Sequence, residues 1–173
     1  MIPEFEDNGQ LPVGIIKPTL SYFESYFVTN CPESNTRKEI FRGYLKFCSK
    51  LVSLESANLQ WVNGSFTTKK IDPNDIDFVT HIDALKLNNS GEKSFKILQK
   101  LNDKQRAKLE CKCDAYFIVV YPPEIPDLHE DTLKNISYWS KWFAHDRNNN
   151  PKGLIEFDLA HDSFDIENCM EGK

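Results

Sequence analysis

The chain lacks a long apolar run, an excess of positive charge and any internal repeat. Its longest apolar stretch lies around Phe117 to Val120, far short of the ~20 residues that cross a bilayer, so no membrane span is expected. Lys and Arg number 21 against 26 Asp and Glu, a net charge of −5. That balance argues against a protein that coats nucleic acid by bulk charge and leaves a local basic face open. The five cysteines, Cys31, Cys48, Cys111, Cys113 and Cys169, are an odd number, and no charged-then-apolar leader precedes them. Cytoplasmic thiols are therefore expected rather than a disulfide framework.

What is present fits one ordinary globular domain. The 173 residues are 40% hydrophobic and 27% charged, with 3 Trp, 6 Tyr and 12 Phe to build a core. A chain of this length buries about 70% of its unfolded surface, which needs no disulfide or structural metal. Disorder and collagen-like order are excluded on the same composition.

Residues 1–13 are polar and proline-bearing and read as an extended arm, continuing through Leu11-Pro12-Val13-Gly14-Ile15-Ile16. Leu20, Phe23, Tyr26 and Phe27 recur at helical spacing after Pro18. Thr36-Arg37-Lys38-Glu39 has the form of a capping box before an amphipathic helix carrying Ile40, Phe41, Tyr44, Leu45, Cys48, Leu51 and Val52. Leu59 to Val62 and Asp75 to Thr80 read as strands. A helical region from Glu92 to Lys108 is broken near Asn102-Asp103, where Asp103 can cap a second helix. Asp114 to Tyr121 is a strand, Asp131 to Phe143 a helix and Gly153 to Leu159 a last strand, followed by an acidic tail over residues 161–173. Alternating strands and helices with short links predict an α+β domain, a short mixed sheet flanked by helices.

The chemistry concentrates between Trp61 and Phe78. Residues two apart on a strand share a face, so Asp75 and Asp77 direct two carboxylates at one spot. Like charges that close are tolerated on an exposed strand edge or relieved by a divalent cation, as where carboxylates hold Mg²⁺ against substrate phosphates. Gly64-Ser65, at the end of the preceding strand, forms a turn in which the backbone approaches a ligand closely and successive N–H groups can cradle an anion. Asp114 opens an apolar strand, where an unpaired acid is costly. Beside the Asp75-Asp77 strand it completes a cluster of three carboxylates.

With nine residues between Gly64-Ser65 and Asp75-Ile76-Asp77, and Asp114 following, the chain resembles the polymerase-beta-like nucleotidyltransferase superfamily. More closely, it resembles a group of small bacterial proteins sharing Leu11-Pro12, Gly14-Ile15, Gly64-Ser65-Phe66, Lys69, Pro73, Asp75-Ile76-Asp77, Asp114-Ala115-Tyr116-Phe117 and Lys152-Gly153-Leu154-Ile155. The resemblance implies a minimal catalytic core that transfers a nucleoside monophosphate from a nucleoside triphosphate with Mg²⁺ (or Mn²⁺). It implies that Asp75, Asp77 and Asp114 hold the metal, that Asp114 helps activate the attacking hydroxyl, and that Gly64, Ser65, Thr68 and Lys69 hold the nucleotide. Small antitoxin-type members carry an arginine shortly after Gly-Ser. Here Thr67, Thr68, Lys69 and Lys70 fill that connection, so Lys69 or Lys70 is left to meet the triphosphate as a point charge, without an arginine's bidentate grip, and the later Arg147 is a separate candidate to reach a phosphate. A toxin–antitoxin or phage-defence setting follows by the same resemblance. A cognate protein partner is the favoured acceptor or controlling subunit, with RNA 3′-end extension or untemplated oligonucleotide synthesis (RNA or DNA) next. A catalytically silent nucleotide-sensing module is the rival, and it has no need of all three acids.

Other residues read as structural. Cys111-x-Cys113 has no second Cys/His pair with which to bind zinc. His81, His129, His145 and His161 pair with no nucleophile, and His81 is expected at a strand end on the surface. Trp139 and Trp142, three apart on a helix, read as core, with base stacking as the functional alternative. Lys93, Lys96, Lys100, Lys104 and Lys108 form one basic stripe if their segment stays helical.

Overall fold

A computed structural model describes residues 1–159 together with Ile166 and Cys169; the rest of the acidic tail, His161 included, lies outside the described residues. The fold is α+β. Its sheet has five strands, β1 (Gly14–Ile16), β2 (Ala57–Asn63), β3 (Ile76–Asp83), β4 (Cys113–Val120) and β5 (Gly153–Asp158), in the order β1-β5-β2-β3-β4. β2 runs antiparallel to both neighbours, β3 and β5, while the outer pairs β3/β4 and β1/β5 are parallel. Among the described residues six α-helices flank it: α1 (Leu20–Glu24), α2 (Arg37–Val52), α3 (Ala84–Asn89), α4 (Glu92–Leu101), α5 (Lys104–Cys111) and α6 (Pro126–Phe143). Among the described residues no helix is long and apolar enough to cross a membrane.

Strand alternation divides the side chains between two layers. Val62, Ile76, Phe78, Ile82, Ala115, Ile155 and Phe157 join the large core under α1 and α2, where Phe23, Phe27, Phe41, Phe47 and Phe66 are also buried. The opposite face carries Trp61, Val79, Ile118 and Leu154, closed by Phe143 of α6. Asp77, Asp114 and Tyr116 stand on this second face by the same alternation.

Several expectations are corrected. The first 13 residues, read as an extended arm, contain no helix or strand, and Ile2 and Leu11 among them are buried in the main core. No capping box forms at Thr36, since its hydroxyl donates instead to the Pro73 carbonyl at 2.8 Å. Ser34 Oγ takes over at the helix start, accepting from the Arg37 N–H at 3.2 Å. The break before Asp103 does occur, and its carboxylate caps α5 by accepting from Arg106 N–H at 3.0 Å. The break also ends the basic stripe. Lys96 pairs with Glu92 on α4, while Lys104 and Lys108 of α5 turn toward β4 and Asp75.

His81 is not at the surface. It is 7% exposed in the middle of β3, packed edge-on against Trp61 with ring centroids 4.6 Å apart. Its Nε2 has no hydrogen-bond partner among the described residues, and burial lowers its pKa to about 4. Strand length explains the error: β3 runs to Asp83 rather than ending at Thr80. Trp142 is the opposite case, being 64% exposed where a core position was expected.

Candidate functional site

The acids meet where β2 ends and β3, β4 and β5 begin. Asp77 is the register partner of Asp114 across the parallel β3/β4 pair and of Asn63 across the antiparallel β2/β3 pair. Neighbouring strands lie about 4.8 Å apart, so side chains of register partners on one face are neighbours. Asp75, expected as the first residue of β3, lies one residue before it. Asp75 and Asp114 are both near enough to Asp77 to raise its pKa. Burial is the larger cause, and together they bring it to about 6 against the opposing pull of Lys152 and Lys108.

Gly64 is what lets Asp77 sit there. Its φ is +82°, a region that L side chains avoid, and a Cβ at this position would overlap Asp77 Oδ2. The carboxylate thus rests directly on the turn that begins a short 3₁₀ segment, Ser65–Thr67. Asn63 fixes the turn from below: its Oδ1 accepts from Gly64 N–H at 2.8 Å, and its Nδ2 donates to the carbonyls of Phe143 and Gly153. The end of α6 and the start of β5 are thereby tied to the acid cluster.

Each acid has a distinct setting. Asp75 Oδ2 is bridged by Lys108 Nζ at 2.9 Å, which keeps that ammonium charged by raising its pKa. Asp114 Oδ2 accepts from the Tyr116 hydroxyl at 3.1 Å. Burial and the neighbouring carboxylate push that phenol up to about 12. Lys104 Nζ sits 3.9 Å from the centre of the Tyr116 ring, and Trp139 covers that ring at 4.4 Å. Lys152 is depressed by burial while Asp77 and Asp146 work to keep it charged.

The residues expected to hold a nucleotide are divided. Gly64 and Ser65 lie at the cluster. Thr68 Oγ1 donates to Ser65 carbonyl at 2.8 Å and accepts from Lys70 N–H at 3.2 Å. Lys69 and Lys70 are exposed on the following loop, where Lys69 N–H bonds the Gly9 carbonyl at 3.0 Å. The cations facing Asp77 are instead Lys152 and Lys108. Arg147 is exposed in the turn before Lys152, close enough to act on its charge.

Sequence reasoning missed Arg37, which is 2% exposed. Its guanidinium donates to the carbonyls of Phe27, Phe66, Thr68, Lys70 and Ile71 at 2.6–3.3 Å, so it holds the whole loop between the Gly-Ser turn and the acids. A basic residue in a helix's first turn, where the dipole disfavours it, was the available signal.

Among the described residues, no three His, Cys, Asp or Glu side chains form a ready metal cage; Asp75 and Asp114 are turned to Lys108 and Tyr116. The donor chemistry nonetheless suits a hard divalent cation: carboxylate oxygens, with Asp77 half-buried beside two other acids. Cys111 and Cys113 are buried, with Cys113 Sγ donating to the Cys111 carbonyl at 3.2 Å, and burial raises both thiols. A cavity of about 310 Å³ lies elsewhere, between α2, α4 and α5, floored by Phe47, Ile97 and Leu101; it contains none of the acids.

Compared with known proteins, the chain matches, over residues 3–158, the profile described as Family of unknown function (DUF6932). No curated protein matches it. No solved structure matches it either.

Proposed function

The chain belongs to the DUF6932 family, whose function is unknown, and from the chemistry of its site we propose that it is a metal-dependent nucleotidyltransferase. The reaction moves a nucleoside monophosphate from a nucleoside triphosphate to a hydroxyl of a protein or nucleic acid. The observation that carries this reading is Asp77, seated against Gly64 and flanked by Asp75 and Asp114. Three acids gathered with too little compensating charge are a poor structural device and a good cation site. A silent module has no use for that repulsion.

Asp75, Asp77 and Asp114 would hold Mg²⁺ or Mn²⁺, which supplies charge neutralisation for phosphates during an in-line displacement. This chain's own groups supply the rest. Asp114 accepts the proton of the attacking hydroxyl. Tyr116, bonded to Asp114 and braced by Trp139, orients that carboxylate. Gly64 brings the backbone of its turn close enough to meet phosphate oxygens. Lys152 and Lys108 balance the charge of the triphosphate and of the departing pyrophosphate. The oxygen of the acceptor hydroxyl bonds to the α-phosphorus, the bond from that phosphorus to its bridging oxygen breaks, and pyrophosphate leaves.

The test is incubation with each labelled ribo- and deoxyribonucleoside triphosphate plus Mg²⁺, alone and with cell extract, comparing wild type with Asp77→Asn. Transfer of label by wild type and its loss in the variant is the expected result. Calorimetry with a non-hydrolysable triphosphate supplies the second reading, and equal affinity in EDTA and in Mg²⁺ would refute the proposal. A cognate protein partner, in the manner of toxin–antitoxin or phage-defence pairs, remains part of the proposal through the motif resemblance alone.

A further inference from the structure

A line of aromatic rings leads outward from the acid cluster. Tyr116, bonded to Asp114, packs on Trp139; Trp139 meets Tyr138 at 5.3 Å; Tyr138 lies near-parallel to Trp142, 20° between planes, at 6.2 Å. The inner two rings are half-buried, whereas Tyr138 is 56% and Trp142 64% exposed. The outer pair therefore presents two near-parallel, water-facing rings on the same end of α6 that Asn63 ties to the site.

Charge separates this end of α6 from the other. Toward its start, Glu130 and Asp131 are paired with Lys134. From Asn135 to Lys152 the charged residues are Lys141, Arg147 and Lys152, with Asp146 the only acid. Asp146 is occupied in its own turn, accepting from the backbone N–H groups of Asn148 and Asn150 at 2.8 Å. Lys104 adds a further cation on the inner ring. Near-parallel exposed rings on a helix end whose neighbours in sequence are mainly cations suit stacked bases joined by phosphates, a combination that an ordinary apolar protein face does not need.

We propose that the C-terminal half of α6 binds single-stranded polynucleotide, bases stacked on Tyr138 and Trp142 and phosphates met by Lys141 and Arg147. The strand's 3′ hydroxyl then lies toward Asp114. This assignment of the acceptor rests on the transferase reading, while the binding itself does not require it.

The experiment follows fluorescence anisotropy of labelled single strands of about ten nucleotides, one RNA and one DNA of matching sequence, with the full chain at low salt in EDTA without triphosphate. At least one strand binds, and which one does so identifies the source. Trp142→Ala and Tyr138→Ala each weaken binding roughly 10-fold or more, as lost stacking does, while Trp142→Phe retains most of the affinity. Lys141→Ala and Arg147→Ala each flatten the salt dependence by about one phosphate contact. All four positions are exposed, so thermal midpoints stay near wild type. Failure of both strands to bind, or equal binding by wild type and Trp142→Ala, overturns the proposal. A protein partner released by Trp142→Ala, with neither strand bound, overturns it in favour of a protein-docking face. With metal and triphosphate absent, failure here is distinguishable from failure of the transferase reading, which is judged by transfer of label.

Discussion

Replacing Asp77 by asparagine removes an ionised group from a place that resists ionisation, so without metal the variant is expected to be more stable than wild type. The carboxyl has moved from 3.8 to about 6, worth at most about 3 kcal/mol at 1.36 kcal/mol per pH unit; solvent at the rim of the site lowers this to ~2 kcal/mol. A raised carboxyl pKa means that the native state holds the proton more tightly, so this contribution to stability falls as pH rises from about 4 to about 6 and is flat above. His81 acts in the opposite sense across the same window. Its pKa is lowered from 6.5 to about 4, the unfolded state binds the proton more readily, and stability rises with pH from about 4 to 6.5. The two slopes nearly cancel in wild type. Urea unfolding between pH 4 and pH 7 in EDTA separates them: Asp77→Asn gains stability toward neutral pH relative to wild type, and His81→Leu loses it. At pH 7 the Asp77 variant melts roughly 4–8 °C higher for a chain of this size. Were it to melt lower, Asp77 would be a structural partner of Lys152, and the argument for a cation site would fail.

Gly64→Ala is expected to cost about 1–3 kcal/mol from its positive φ and its overlap with Asp77; chemical denaturation measures the cost, and triphosphate affinity falls with it. Arg37→Met leaves five carbonyls without their donor and should lose about 3–4 kcal/mol; Arg37→Lys recovers little, since one ammonium cannot span that fork, and thermal melts of both variants check this. Lys108→Met frees Asp75 and exchanges a weak, exposed ion pair for stronger cation binding. Calorimetric Mg²⁺ affinity should rise, and an unchanged value would exclude Asp75 from the site.

Local signals carried much of the fold. Asp103 marked the α4/α5 break because an N-cap is a one-residue event, and the apolar spacing of Ile40, Phe41, Tyr44 and Cys48 marked α2. Thr36 misled because its hydroxyl found Pro73, 37 residues away, and a capping box is only a pattern until tertiary partners compete. The three acids were legible through strand alternation and spacing, but their counter-charges were not. Lys152 and Lys108 reach Asp77 from β5's approach and α5, a convergence that only topology creates. His81 was misassigned with the strand end; its burial depends on the ring of Trp61, a contact between strands that no local pattern announces.

The loop between the Gly-Ser turn and the acids has little freedom in length. Arg37 registers the carbonyls of residues 66, 68, 70 and 71, Asp72 accepts from Asn35 N–H at 2.7 Å, and Pro73 from Thr36. All of these anchors lie on or just before α2, an element that supplies nothing to the acid cluster. One residue added or deleted between Thr68 and Asn74 would shift every later carbonyl off its donor or drag Asp75 away from Lys108. The nine-residue interval that marks the motif in the sequence is thus a ruler whose graduations are cut by a helix on the far face of the sheet. Grafting the loop and its acids onto another scaffold would fail unless Arg37 and its helix were carried across with them.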